Sequence, residues 1–157
     1  MQVRSIAPND YDHIIAVVDE WWGGRTVAAM LPKLFFVHFQ ETSFIAEDNG
    51  EPIGFLVGFL SPRFHDQAYI HFVGIHPNHR KRGVAKRLYE RFFQVSKQAG
   101  RQTVKCVTSP VNVSSLAFHR AMGFRPEDGD WSDERLPTLR NYDGPGEDRV
   151  VLVKRCE

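Results

Sequence analysis

A short basic loop between an apolar run and an amphipathic segment carries the clearest chemical signal in this sequence. The apolar run ends at His76-Pro77, and Arg80-Lys81-Arg82-Gly83 follows almost at once. The first N–H groups of a helix have no partners inside the helix, and the helix dipole adds about half a positive charge there. Gly83 has no side chain and therefore lets a bulky group approach the backbone. This loop predicts a binding site for a phosphate or pyrophosphate group.

The basic loop does not match the common nucleotide-binding loops. The sequence has no G-x-x-x-x-G-K-[ST], and no G-x-G-x-x-G follows a predicted strand, so P-loop and Rossmann sites are excluded. A solvated helix face remains the alternative for the run from Arg80 to Arg91. A nucleic-acid site would need aromatic residues interleaved on an open face, whereas these basic residues crowd one helix start.

Hydrophobic periodicity and turn residues predict the elements that position the loop. The predicted strands are Val3 to Ile6, Ser43 to Glu47, Pro52 to Leu60, Ala68 to His76, Gln102 to Thr108 and Arg149 to Lys154. The predicted helices are one between Asn9 and Gly23, one from about Thr26 to Gln40 that is bent or interrupted at Pro32, one from about Arg82 to Ala99, and one from about Val113 to Met122. This order predicts a mixed α/β sheet with helices on both faces.

Two further segments have open interpretations. Trp21-Trp22-Gly23-Gly24-Arg25 is either a packed helix end with a glycine stop or, as the family resemblance described below implies, a wall of the acceptor pocket. The stretch from Pro126 to Asp148 is rich in Pro, Gly and Asp, and irregular stretches of that length are usually functional or mobile. It holds eight acidic residues, which would attract a cationic amine or simply be solvated.

Length and composition place the chain among ordinary globular proteins. Its 157 residues fit one domain over 1–157, and a net charge of +1 gives no reason to expect a nucleic-acid or membrane partner. The two cysteines, Cys106 and Cys156, make neither a disulfide framework nor a four-ligand zinc site, and the histidine spacing suggests no metal. The expectation is a reduced, cytoplasmic protein.

Two motifs resemble those of the GNAT acyltransferase superfamily. Arg80-Lys81-Arg82-Gly83-Val84-Ala85 is similar to motif A, [R/Q]-x-x-G-x-[G/A], and follows a hydrophobic strand and a proline as in that family. The segment from Asn112 to Phe124 is similar to motif B, N-x-x-[AS]-x-x-x-Y-x-x-x-G-F, one helix and one strand further on. The resemblance implies a mostly antiparallel central sheet of six to seven strands whose central strands splay apart.

The resemblance also implies a co-substrate, acetyl-CoA, and the residues that bind it. The backbone of Val73, Gly74 and Ile75 would bind the pantetheine arm, and a bulge there would offer an N–H to the thioester carbonyl. Asn112 would touch acetyl-CoA near the reacting end. The pyrophosphate would be held by the motif A segment: Arg80, Lys81, Arg82, Gly83, Val84, Ala85 and Lys86.

His119 stands where motif B has a tyrosine that protonates the leaving thiolate. With ordinary pKa values, proton transfer from imidazolium, about 6.5, to a thiolate, about 8.5, is favourable by about 2.7 kcal/mol. Only about one histidine in ten is protonated at pH ~7.5. This low occupancy costs about 1.4 kcal/mol, which is less than the free energy gained in the proton transfer. The resemblance therefore implies that His119 is the general acid, and lost activity is the alternative.

The strand before motif A often carries the family's general base. Tyr69 and His71 lie there two residues apart, and strand alternation places both on one face with Val73 and Ile75. Imidazole is a base suited to neutral pH, so His71 is predicted to deprotonate an ammonium substrate or to order the water that does. A hydrogen-bonded core histidine is an equal alternative.

The resemblance implies an N-acetyltransferase in which an amine attacks the thioester directly, in a ternary complex. The acceptor is expected to be a small-molecule amine, and a homodimer is compatible with this interpretation. The alternatives are a protein amino group as acceptor and a CoA-binding module without catalysis. The sequence does not identify the acceptor.

Overall fold

A computed structural model describes residues 1–156, in which the chain forms seven strands and four α-helices. The strands are β1 (Gln2–Ser5), β2 (Phe44–Asp48), β3 (Glu51–Leu60), β4 (Gln67–Ile75), β5 (Thr103–Thr108), β6 (Arg125–Pro126) and β7 (Val150–Arg155). The helices are α1 (Tyr11–Trp21), α2 (Leu34–His38), α3 (Val84–Gln98) and α4 (Val113–Ala121).

The strands form one mixed sheet in the order β1-β2-β3-β4-β5-β7-β6. Every neighbouring pair is antiparallel except β4 and β5, which are parallel. Helix α3 packs on one face through Leu88 and Phe92, and helices α1 and α2 pack on the other through Val18 and Phe36. The predicted fold class, a mostly antiparallel α/β sheet covered on both faces, is confirmed.

The helix predicted from Thr26 to Gln40 is shorter than expected, and of the two predicted possibilities, a bend or an interruption at Pro32, the structure shows the interruption. The structure has a 3₁₀ turn at Ala28–Met30, then the five-residue helix α2, then another 3₁₀ turn at Gln40–Thr42. Pro32 explains the break, because proline lacks an N–H and disfavours helical geometry in the residue before it. Leu31 has a φ of −122° and a ψ of 67°, well outside the helical region.

Strand β4 contains a bulge at His71. Val57 of β3 pairs with Phe72, whereas the next residue, Gly58, pairs with Ile70, so His71 has no partner across the ladder. An extra residue of this kind shifts the alternation of side chains by one position. Ile70 therefore packs with the α3 face, whereas Phe72 packs with the α1 and α2 face.

The bulge corrects one expectation about the site residues. Val73 and Ile75 pack with the α3 face, whereas the His71 ring stacks on Phe35 of α2, on the opposite face. Tyr69 packs beside Phe59, which contacts that same α2-side core. The prediction that Tyr69 and His71 share a face with Val73 and Ile75 is therefore wrong.

Strands β4 and β5 separate soon after they meet. They pair only from Gln67 to Tyr69 on β4 and from Thr103 to Lys105 on β5, although both strands continue further. We call the opening between them beyond Tyr69 and Lys105 the strand gap. Because β4 is otherwise a central strand, the strand gap connects the two faces of the sheet.

Candidate functional site

A cavity of about 820 Å³ is lined by residues from both faces of the sheet at the strand gap. Its α3 side includes Gly83, Val84, Tyr89, Asn112, Phe118 and His119. Its α2 side includes Trp22, Arg25, Met30, His71 and Phe72. Two molecules that enter from opposite faces would therefore meet at the strand gap.

The start of α3 forms an open cradle on the α3 side. Lys81 and Gly83 have φ values of 61° and 78°, in the left-handed region, and curl the loop before the helix. The N–H of Arg87 donates to the Gly83 carbonyl at 3.0 Å and closes the first turn of α3. The amides of Val84, Ala85 and Lys86 come before this bond, so they have no acceptor within the helix. A Cβ on Gly83 would meet no atom within 4 Å. This geometry suits an anionic oxygen cluster.

The cavity lining contains every residue predicted to bind acetyl-CoA except Arg82. Arg80 also has a structural contact, because its guanidinium donates to the Trp21 carbonyl. Lys86 lies 3.9 Å from the exposed carboxylate of Glu90, a contact that adds little in water. Positive charge at the cradle therefore comes from Arg80, Lys81, Lys86 and the helix amides.

The edge of β4 that faces the strand gap contacts Trp22, a residue for which the sequence left two interpretations open. The His76 N–H donates to Ile53 at 2.8 Å, so alternate residues direct their polar groups to β3 and the intervening ones, including Val73, direct theirs toward the strand gap. The Trp22 indole N–H donates to the Val73 carbonyl at 3.0 Å, and its ring stacks on Phe72 at 4.9 Å. Trp22 therefore closes the C-terminal end of α1 and also lines the cavity, and its role as a wall of a substrate pocket stays a prediction.

His119 is buried on the α3 side, with 7% of its surface exposed. Its Nδ1 lies 2.8 Å from the Ser115 carbonyl oxygen, which can only accept, so Nδ1 carries a hydrogen. Its Nε2 lies 2.9 Å from the Tyr89 hydroxyl, which donates to it when the ring is neutral. Burial lowers the pKa of His119 below its usual value, and the Ser115 hydrogen bond opposes this only in part.

Side chains at the start of α4 fix the position of His119. The Asn112 side-chain oxygen accepts from the Ser115 N–H at 3.2 Å and caps the helix. The Thr108 hydroxyl donates to the Ser115 hydroxyl at 2.9 Å. Asn112, predicted to touch acetyl-CoA, lines the cavity and also holds the helix that carries His119.

His71 reaches the α2 side of the cavity. Its Nε2 lies 2.6 Å from the carbonyl oxygen of Met30, so Nε2 donates a hydrogen there. The neutral ring then has its lone pair on Nδ1, which is the basic atom. Stacking on Phe35, with ring centroids 4.7 Å apart and planes within 10°, holds the ring in place.

Tyr69, the other candidate on β4, is placed differently. It is absent from the residues that line the cavity, and its ring stacks on Phe59 with centroids 5.5 Å apart. Burial raises the pKa of Tyr69 well above its usual value, with smaller contributions from Tyr142, Cys106 and Asp143. A phenol in this environment keeps its proton at neutral pH, and the catalytic role of Tyr69 stays a prediction.

The long segment from Pro126 to Asp148 brings charge to the cavity. Asp143, Glu147 and Arg149 all contribute to the lining. Arg149 donates to Asp143 at 2.8 Å and to Glu147 at 3.0 Å, so the two carboxylates are held by one arginine. Arg25 contributes positive charge from the α2 side, with its guanidinium over the Trp22 ring.

The chain matches the family model described as the acetyltransferase (GNAT) family over residues 9–124, well over half of its length. It therefore belongs to the GNAT family, as the two motifs indicated.

Among characterised proteins, the chain is similar to the L-2,4-diaminobutyric acid acetyltransferase of Nocardia farcinica, with 29% identity over 87 residues. That match covers 55% of this chain and 45% of the relative, so the alignment spans about half of each protein.

Solved structures share the fold along nearly the whole chain. Ard1 from Thermoplasma volcanium has a TM-score of 0.78 at 17% identity and covers 98% of this chain and 96% of its own. The yncA protein from Salmonella typhimurium, solved with its cofactor acetyl-CoA, has a TM-score of 0.74 at 17% identity, with 100% and 94% covered. At such identity these structures establish the fold alone.

The described residues hold neither a metal-ion cluster nor a membrane-spanning helix. Residues 1–156 contain no group of three or more His, Cys, Asp or Glu side chains arranged to hold a metal ion. Within the same part of the chain, no helix is long and apolar enough to cross a membrane.

Proposed function

We propose that this protein transfers the acetyl group of acetyl-CoA to a primary amine by direct attack in a ternary complex. The observation that carries the proposal is the cavity through the strand gap. It has an open helix start on its α3 side and a histidine with a basic nitrogen on its α2 side. A nucleotide thioester and an amine entering from opposite faces would meet there without a covalent enzyme intermediate.

The residues on the α3 side fit acetyl-CoA, which supplies an activated thioester when bound. The amides of Val84, Ala85 and Lys86 suit its diphosphate, because they stand at an open helix start with Lys81 beside them. The edge of β4 that faces the strand gap at Val73 and Ile75 suits the amides of its pantetheine arm, with the Val73 carbonyl also accepting from Trp22. An N–H on that edge would stabilise charge that develops on the thioester oxygen.

The chain contributes base and acid groups on opposite sides of the strand gap. On the α2 side, His71 Nδ1 would accept the proton of the ammonium and leave a nucleophilic amine. On the α3 side, His119 would supply the proton that the departing thiolate needs. His71 lies on the α2 side of the cavity and His119 on the α3 side, so the two rings are separated. This separation supports His71 as the base and His119 as the source of the proton for the thiolate.

A small-molecule amine is the proposed acceptor. The α2 side carries a cation at Arg25, and Asp143 and Glu147, which share Arg149, leave one net negative charge in the cavity lining. An acceptor with both a carboxylate and a second ammonium group matches these charges. The relative named for diaminobutyric acid acetylation supports testing diamino acids first.

The test is turnover and binding with the wild-type protein. Release of CoA thiol is followed with L-2,4-diaminobutyrate, related diamino acids, diamines, ordinary amino acids and a peptide with a free N-terminus. We expect steady turnover with at least one small diamino compound, and calorimetric heat with acetyl-CoA alone. Absence of binding heat at millimolar acetyl-CoA would refute the proposal, and turnover with the peptide alone would refute a small-molecule acceptor.

We expect His119→Tyr to change the pH profile of kcat. The active form of His119 is the imidazolium, so its contribution falls as the pH rises through its folded pKa. Burial places that pKa below the usual value of about 6.5, and each further pH unit removes about tenfold of the imidazolium. The variant should lose this alkaline-side decline across about pH 5 to 9. Superimposable profiles, at equal affinity for acetyl-CoA, would remove His119 from the proton chemistry.

A further inference from the structure

We propose that Tyr89 is the group that hands the proton to the departing sulfur, and that His119 replaces that proton on Tyr89. This inference rests on the proposed acetyl transfer and adds a residue that the sequence motifs do not mark. Tyr89 lies on α3, at neither motif position, and it lines the α3 side of the cavity together with His119.

The Tyr89 ring is held firmly. It is 4% exposed, and it meets Phe118 and Phe124 edge-on, with ring centroids 5.0 and 6.1 Å apart. Its hydroxyl lies 2.9 Å from His119 Nε2, in the buried contact between α3 and α4. The hydroxyl position is therefore set by the packing of the ring and by one hydrogen bond.

The hydrogen bonds of His119 favour a relay over direct donation. Nδ1 is engaged by the Ser115 carbonyl, and Nε2 is engaged by Tyr89. A ring nitrogen makes one hydrogen bond at a time, whereas a phenol oxygen can accept one and donate another. Tyr89 can thus accept from His119 and donate to a sulfur atom at the same time, whereas His119 would have to release Tyr89 first.

The relay balances in charge and atoms. The C–S bond of the tetrahedral adduct breaks, and its electron pair stays on sulfur. The sulfur then takes the hydroxyl hydrogen of Tyr89, and the Tyr89 oxygen takes the Nε2 hydrogen of protonated His119. A thiolate and an imidazolium become a thiol and a neutral imidazole, while Tyr89 is neutral before and after.

Donation by Tyr89 without His119 is less favourable. It would leave a buried phenolate, and burial raises the pKa of Tyr89 well above its usual value, with a smaller effect of Cys106. Cys106 on β5 is an ionisable neighbour in this region, and burial raises the pKa of its thiol too, so it stays neutral. The relay requires one positive charge, the imidazolium of His119, and this charge is lost when the thiol forms.

The first test compares two leaving groups. Tyr89→Phe keeps the ring and should lower kcat with acetyl-CoA about tenfold, with KM for acetyl-CoA unchanged. The selenium analogue of acetyl-CoA releases a selenolate, which leaves without a proton because selenols are stronger acids than thiols. With the selenium analogue, kcat of Tyr89→Phe should be less than twofold below that of the wild type. The loss of kcat in His119→Gln should shrink in the same way.

A second measurement does not depend on turnover. A phenol O–H that contacts sulfur stabilises a thiolate, so the thiol of bound CoA should ionise at higher pH in Tyr89→Phe than in the wild type. Ultraviolet absorbance of the thiolate reports this titration directly. Tyr11→Phe is the matched control, because Tyr11 packs against Phe36 outside the cavity lining and should change neither result.

The outcomes separate this inference from the proposed function. Equal deficits with the sulfur and selenium donors, or an unchanged titration of the bound thiol, would overturn the role of Tyr89 while leaving acetyl transfer intact. A wild-type protein that neither binds CoA nor turns over acetyl-CoA would instead overturn the proposed function.

Discussion

Gly83→Asp is expected to weaken acetyl-CoA binding at least a hundredfold while the chain still folds. Gly83 has a φ of 78°, which aspartate tolerates better than most residues, and its missing side chain leaves open space at the cradle. A carboxylate about 4 Å from a phosphate charge costs about 4 kcal/mol at an effective dielectric constant of about 20. About 2.8 kcal/mol already corresponds to a hundredfold loss. Calorimetric titration with acetyl-CoA measures the effect.

Gly100→Asp is a closely matched control for that variant. Gly100 also has a φ of 78°, also has no atom within 4 Å of an added Cβ, and follows the other end of α3, away from the cavity lining. The backbone strain is therefore similar, and a negative charge at a helix C-terminus is itself destabilising. We expect Gly100→Asp to lower the melting temperature but to keep acetyl-CoA affinity. Similar affinity losses in both variants would argue against a diphosphate at Gly83.

The cradle could be predicted from the sequence because its signals are local. The spacing of Ala85, Leu88, Phe92 and Val95 defines one face of α3, and the preceding proline and glycine define its start. The amides at a helix start point outward whatever the rest of the chain does. The cradle at the start of α3 could therefore be predicted without knowing how the rest of the chain packs.

The faces of β4 could not be predicted in the same way. Alternation places His71 with Val73 only if the ladder is regular, and one unpaired residue reverses that assignment. A bulge depends on the register with β3, which joins residues far apart in the sequence. The bulge is also what turns His71 toward the α2 side, so the wrong prediction concerns the residue that we propose as the base.

Sequence reasoning misses Tyr89 and leaves Trp22 undecided, for a related reason. Tyr89 looks like an ordinary aromatic beside the apolar stripe of α3, and only the packing of α4 against α3 brings its hydroxyl to His119. Trp22 looks like a helix end, and its contact with Val73 spans 51 positions of the sequence. Pro32, in contrast, is a local signal, and the segment predicted to bend or break there is interrupted.

His71→Gln is expected to lower kcat/KM about a hundredfold to ten-thousandfold at neutral pH, the usual contribution of a general base. Glutamine can still donate an N–H to the Met30 carbonyl, as Nε2 of His71 does, but it has no basic nitrogen to take the place of Nδ1. The measurement is kcat/KM across the pH range with the best acceptor from the amine panel.

The pH dependence distinguishes a base from a packing residue. An alkyl amine has a pKa of about 10, so above that pH most of the acceptor is deprotonated without help and the loss of kcat/KM in His71→Gln should narrow. A displaced Met30 or Phe35 would reduce activity equally at every pH. His38→Gln removes an exposed imidazole from α2, outside the cavity lining, and should match the wild type throughout. A deficit that stays constant as the amine deprotonates would show that His71 supports the cavity wall and that another group accepts the proton.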